Sequence, residues 1–145
     1  MATVACQGQA RAVVEALCRN GRHHRTASQV ALSLQLPSRF YLHRLLHDAR
    51  LPSFKILSQW IRLLAVVVVC ERDRLAPSAL ALRDGKNPDA YTRLARRVTG
   101  VPWADVRRNG SAWVMIQLSQ VCSRAQSRIA AAAQWAAGDG FRREA

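Results

Sequence analysis

No hydrophobic run in the chain is long enough to cross a membrane. The longest, Leu63 to Cys70, falls far below the roughly 20 residues required, and Arg62 and Glu71 bracket it. The N-terminus carries Glu15 and two arginines instead of a basic stretch followed by an apolar core, so it does not read as a secretory signal. Cys6, Cys18, Cys70 and Cys122 stand far apart with no C-x-x-C pair, which argues against a zinc site or a disulfide framework. They read as reduced, largely buried thiols of a cytoplasmic protein. Ser28, Ser58 and the cysteines have no nucleophile-elbow or Cys/His protease context, and no glycine-rich phosphate loop occurs. Neither an enzyme nor a cofactor is therefore expected. His43 and His47 have the i, i+4 spacing that can hold a metal, but no third ligand lies nearby in sequence, so no metal site is expected.

Acidic residues are scarce as well: 9 against 22 basic ones, giving a net charge of +13. Lysine is nearly absent, since all the basic residues but Lys55 and Lys86 are arginines. The planar fork of arginine pairs bidentately with phosphate and with guanine edges, which favours nucleic acid as the partner of this charge. An arginine excess can also merely aid solubility. Against that reading, many of the arginines fall on or beside two repeated helices.

The repeat is the strongest feature present. Leu42, Leu45, Leu46 and Ala49 place one apolar stripe on a helix, and Tyr91, Leu94, Ala95 and Val98 repeat it about 50 residues further on. Arg44 and Arg93 occupy the same place in each copy, and Phe54 and Trp103 follow at a common offset. At 145 residues and 50% hydrophobic, the chain has room for one or two small domains and can close a core without metal or disulfides.

Periodicity and caps predict an all-α fold. A first helix spans Ala10 to Arg19, with Val13, Val14 and Leu17 inward. Thr26 caps a short second helix through Leu34, and Pro37-Ser38 starts a third running to about Ala49. Short helix, tight turn, longer helix is the helix-turn-helix pattern. Ser53 caps a long linker helix towards Arg72, whose apolar face reads Phe54, Leu57, Ile61, Leu64 and Val68. The four valines from Val66 would also suit a buried strand, but the helical periodicity enters them unbroken. Pro77 begins a second unit with Leu80 and Leu82 on its short helix. Pro88 falls in the first turn of its longer helix, which ends at Gly100. A closing helix from Trp103 to Arg108 stops at Asn109-Gly110. Residues 111–137 form an alanine-rich helix bearing Leu118, Cys122, Ala125, Ile129, Ala132 and Ala136 at heptad-like spacing. It is expected to pack on its own domain in preference to forming a weak dimer, and Gly138-Asp139-Gly140 and the residues after it read as a frayed tail. The organisation is thus 1–72, first unit with linker helix; 73–110, second unit; 111–145, C-terminal helix and tail.

At about 100° per residue, the face of the third helix opposite its apolar stripe displays Phe40, His43, Arg44 and His47. The sixth helix displays Asp89, Thr92, Arg93 and Arg96. A major groove would meet these residues: Arg44 and Arg93 suit guanine O6 and N7, Phe40 a thymine methyl, Asp89 cytosine N4, and Thr92 offers a short hydroxyl. Arg22, Arg25 and Arg39 near the first unit, with Lys86, Arg97, Arg107 and Arg108 near the second, are candidates for phosphate contacts that fix register without reading sequence. His23-His24 lies in a basic loop suited to phosphate.

From about Arg11 to Arg108 the sequence resembles the bipartite DNA-binding domain of the AraC/XylS family of bacterial transcription regulators. The stretch Tyr91-Thr-Arg-Leu-Ala-Arg-Arg-Val-Thr-Gly-Val-Pro-Trp-Ala-Asp-Val-Arg107 is similar to that family's second-unit signature. Leu42-His-Arg-Leu-Leu resembles its first unit, and Ile61-Arg-Leu-Leu-Ala its linker helix. By that resemblance Phe40, His43, Arg44, Asp89, Thr92 and Arg93 fall at base-contact positions. Arg50-Leu51 stands where the family usually has Gly at the end of the first unit's long helix. Ala95 replaces a bulky aromatic, and Trp103 stands where Pro is frequent. The stretch rich in β-strands that would form the family's effector domain does not occur.

The resemblance implies a bacterial, nucleoid-associated regulator with double-stranded DNA as its partner and RNA polymerase as a further one. It would be a monomer or a weak dimer through the C-terminal helix. Two other classes fit the composition: a helical adaptor binding acidic protein surfaces, and a nonspecific nucleic-acid binder.

Overall fold

The computed structural model describes residues 2–142, and the elements within them are helical throughout. They are α1 (Ala2–Asn20), α2 (Ala27–Ser33), α3 (Arg39–Asp48), α4 (Phe54–Asp73), α5 (Pro77–Arg83), α6 (Ala90–Thr99) and α7 (Trp103–Arg142). Hydroxyl caps start three of them. The Thr26 side chain accepts from the Gln29 amide while Gln29 accepts from the Thr26 amide, a reciprocal capping box. Ser38 accepts from the Tyr41 amide and Ser53 from the Ile56 amide.

Three boundaries differ from the sequence reading. Helix α1 begins at Ala2, well before Ala10, because its first turns are largely exposed and carry no apolar stripe to announce them; Val4 is 75% exposed. Its early turns are tied to α3 through Tyr41, whose hydroxyl donates to Gln9 Oε1. Helix α6 starts at Ala90, beyond Pro88, where the Asn87 side chain accepts from the Asp89 amide and holds the turn. The final helix runs on through Gly138-Asp139-Gly140 to Arg142, where a frayed tail was expected. Only residues 143–145 of that tail lie outside the described residues.

Two hydrophobic cores share α4. The first is built from α1, α2, α3 and the start of α4: Val13, Leu17, Val30, Ala31, Leu42, Leu46, Phe54, Leu57 and Ile61. The second joins the rest of α4 to α5, α6 and α7 around Leu63, Val66, Val67, Leu80, Leu94 and Val106, with Tyr91 fully buried. The single stripe expected along α4 therefore changes side. Phe54, Leu57 and Ile61 are buried as expected, but Leu64 is half-buried and Val68 is 42% exposed. Leu63, Val66 and Val67 carry the burial instead, because the second core lies against a different face of the same helix. The valine run is helical, and Val68 points away while its neighbours face in.

Helix α7 is interrupted at Gly110 (φ 82°, ψ 177°), the stop expected at Asn109-Gly110, and then continues in a new direction. Glu71 at the end of α4 caps the restart, accepting from both the amide and the hydroxyl of Ser111 at 2.8 Å. Val114 is buried in the second core, Leu118 packs against both cores, and Cys122 packs against the first. The C-terminal helix thus lies along α4 and spans both units. Trp103, half-buried, packs against the core that contains Ala95. Among the described residues no helix is long and apolar enough to cross a membrane.

Candidate nucleic-acid interface

The pairs α2–α3 and α5–α6 are built alike at the level of individual hydrogen bonds. Two residues after each short helix ends stands a residue of left-handed backbone, Gln35 (φ 56°) or Gly85 (φ 71°). The next amide then reaches back into the helix: Leu36 N to Ala31 O at 2.9 Å, and Lys86 N to Ala81 O at 2.8 Å. Val30 and Ala31 are buried in the first pair as Leu80 and Ala81 are in the second. Leu42, Leu45 and Leu46 face inward from α3, matched by Tyr91, Leu94 and Ala95 on α6.

The opposite faces are open. On α3, Phe40 is 69% exposed and His43, Arg44 and His47 are exposed. The His43 ring stands edge-on to buried Phe54, which fixes its orientation, and the Arg39 guanidinium lies 5.0 Å from the Phe40 ring centre. On α6, Asp89, Arg93 and Arg96 are exposed, while Thr92 is half-buried and its hydroxyl donates to the Asp89 carbonyl. Arg93 and Asp89 form a loose i, i+4 ion pair at 3.6 Å, exposed enough to be exchanged cheaply for another partner.

The candidate phosphate contacts divide. Arg22 is not a free cation: its Nε and Nη2 donate to the two oxygens of Asp84 at 2.6 and 2.9 Å, and the Tyr91 hydroxyl donates to the same carboxylate. This pair ties the α1–α2 loop to the turn of the second unit. The Asp84 side chain is 4% exposed, and the Arg22 fork holds its pKa down at about 2. Burial, followed by the bond to Asp84, pushes the Tyr91 phenol well above its usual range. The remaining candidates keep more freedom. Lys86 lies 5.4 Å from the Tyr91 ring centre, Arg25 bonds weakly to Asn20, and Arg108 pairs with Asp105. Arg97 and Arg107 are exposed, and Arg107 lines a cavity of about 310 Å³ with Cys70, Glu71, Arg74 and Trp103.

Sequence reasoning missed Arg62. Its Nε donates to the Arg22 carbonyl, and it stands half-buried among His24, Lys86 and Arg97. Burial is the main cause that pulls its pKa below the ordinary value; Tyr91 opposes it and Arg97 adds to it. Burial, then the charge of Arg62, lowers the pKa of His24 and of Lys86. Arg62, Lys86 and Arg97 thus gather near the Arg22–Asp84 pair, where the units meet. No spacing signal marks this cluster, because His24, Arg62, Lys86 and Arg97 come from the α1–α2 loop, α4, the α5–α6 turn and α6.

The cysteines are free; Cys70 is buried, Cys6 and Cys122 are half-buried and Cys18 is exposed, so the expectation of largely buried thiols is fully met at Cys70 alone. Among the described residues no group of three or more His, Cys, Asp or Glu side chains comes together to hold a metal. Comparison with family models, curated proteins and solved structures found no match to this chain.

Proposed function

We propose that the protein is a sequence-specific transcription regulator of AraC type, with α2–α3 and α5–α6 acting as helix-turn-helix units on double-stranded DNA. The observation that carries this reading is the pair of like-built helix pairs, each presenting an exposed arginine, Arg44 or Arg93, at the same register in a chain of net charge +13. In this reading α3 and α6 enter successive major-groove segments about 34 Å apart on one face of the duplex. Arg44 and Arg93 read guanine edges. Arg62, Lys86 and Arg97, which gather where the units meet, contact phosphates between the two reading heads.

Selection of binding sites from random duplex DNA tests the proposal. A bipartite motif is the expected result; charge-driven binding without enrichment identifies a nonspecific binder, and no DNA binding favours the adaptor. Once a site is selected, Arg44→Ala and Arg93→Ala should each cost about 1–3 kcal/mol and relax base preference in one half only. Unchanged preference in both variants would remove the recognition-helix assignment.

A further inference from the structure

The C-terminal helix reaches the first reading head. After Leu118 and Cys122 pack against the cores, α7 runs past the corner between α3 and α4, where Arg124 and Arg128 line a groove with Leu51, Pro52 and Ile56. One turn further on, Arg128 shares a depression with His47, a residue of the exposed α3 face. Both arginines are exposed, and neither has an acidic partner among the described residues; the Asp48 carboxylate lies 3.6 Å from His47 Nδ1. From Ser111 to Ala137 the helix contains these two arginines and no acidic residue. The stretch therefore carries positive charge and no negative charge where it passes α3.

We infer that Arg124 and Arg128 form a third DNA-contacting element, which clamps backbone phosphates flanking the half-site read by α3. This rests on the DNA reading of α3. A helix seated in a major groove is bordered by the two phosphate strands, and a guanidinium beside its C-terminal end stands where one of those strands must pass. The occupant is a phosphodiester backbone, because two arginines without a carboxylate offer donors and charge but no base-selective arrangement. The alanines that follow, Ala132 and Ala133, add no polar group to that depression.

The test measures binding of the full-length protein to its selected site across a salt series, on a long duplex and on one trimmed just outside the first half-site. Arg128→Ala should lower the slope of log K against log salt by about 0.9, and the double variant Arg124→Ala/Arg128→Ala by about twice that. Between 50 and 200 mM salt this corresponds to about a 3-fold change for each phosphate no longer neutralised. Base preference should stay as in wild type, Arg128→Lys should keep the slope, and the trimmed duplex should abolish the difference between wild type and variants. Circular dichroism confirms that the variants are folded. Wild-type slopes in the double variant on the long duplex would overturn the proposal, as would an effect that persists undiminished on the trimmed one. Arg44→Ala, measured in parallel, separates the two levels. If it relaxes base preference while the α7 variants are silent, the clamp fails and the regulator reading stands. If no variant changes preference or slope, both fall.

Discussion

Arg50 holds φ at 57°, in the left-handed region that disfavours any residue with a Cβ. It turns the chain out of α3, and its amide bonds back to His47 O while that of Leu51 reaches Leu46 O. Gly100 does the corresponding work after α6. Arg50→Gly should therefore raise stability by about 0.5–1 kcal/mol, read as a higher urea midpoint at unchanged slope. Arg50→Ala, which removes the same charge but keeps the Cβ, should give no such gain. Asp84 carries the opposite kind of liability. Its folded pKa of about 2 lies below the usual 3.8, so its contribution is complete above about pH 4 and is lost as pH falls through 2. That difference corresponds to about 2 kcal/mol. Asp84→Asn should cost about 3 kcal/mol at neutral pH by leaving the Arg22 fork unpaired. The gap between variant and wild type should narrow in denaturation measured towards pH 2; a gap independent of pH would show that the ion pair does not stabilise the fold. Arg22→Ala acts on the same pair, so its first effect should be on stability, and DNA affinity must be compared under folded conditions.

Among the elements, α7 depends most on a single position. At Gly110 the backbone adopts φ 82° and ψ 177°, a combination open in practice only to glycine, and an added Cβ would stand 3.1 Å from Glu71 Oε1. Gly110→Ala should cost about 2 kcal/mol and, by displacing the carboxylate that caps Ser111, loosen the residues after the kink. Amide exchange of Ser111 to Leu118 reports this directly; wild-type protection there would count against the cap. The helices themselves show what a sequence makes legible. Thr26, Ser38, Ser53 and Gly100 were readable as boundaries because a cap is settled within a few residues. The face of α4 was not, because Leu63 and Val68 differ in burial only through where a second core lies. The repeat announced the exposed positions Arg44 and Arg93. The Arg22–Asp84 pair joins residues too distant for any periodicity to link, and nothing in the sequence around Asn109 or Gly110 forecasts how α7 passes His47.

At the scale of the whole molecule, three ties hold the two units: α4 contributes to both cores, α7 runs beside it from one core to the other, and Arg22 of the α1–α2 loop grips Asp84 of the second unit. Neither unit can open without exposing the apolar surface of α4. Leu42→Ala, at a fully buried site of the first core, should lower stability by about 3 kcal/mol and lower the protection of α6 amides, in the second unit, by the same amount. Loss confined to α1–α3 would show that the units open separately.

The shared helix also imposes an order on biosynthesis. The fully buried residues of the first core have all been translated once Ile61 has left the ribosome, with Leu118 and Cys122 still to cover its edge, whereas those of the second wait for Val114, about 50 residues later. At usual elongation rates that is a delay of roughly 3–10 s. During it the valines of α4 emerge without their second-core partners, and Arg22 is unpaired until Asp84 is translated, before the interval ends. A chaperone that binds exposed aliphatic helices would find its substrate in that interval, and a cluster of slow codons after residue 61 would lengthen it.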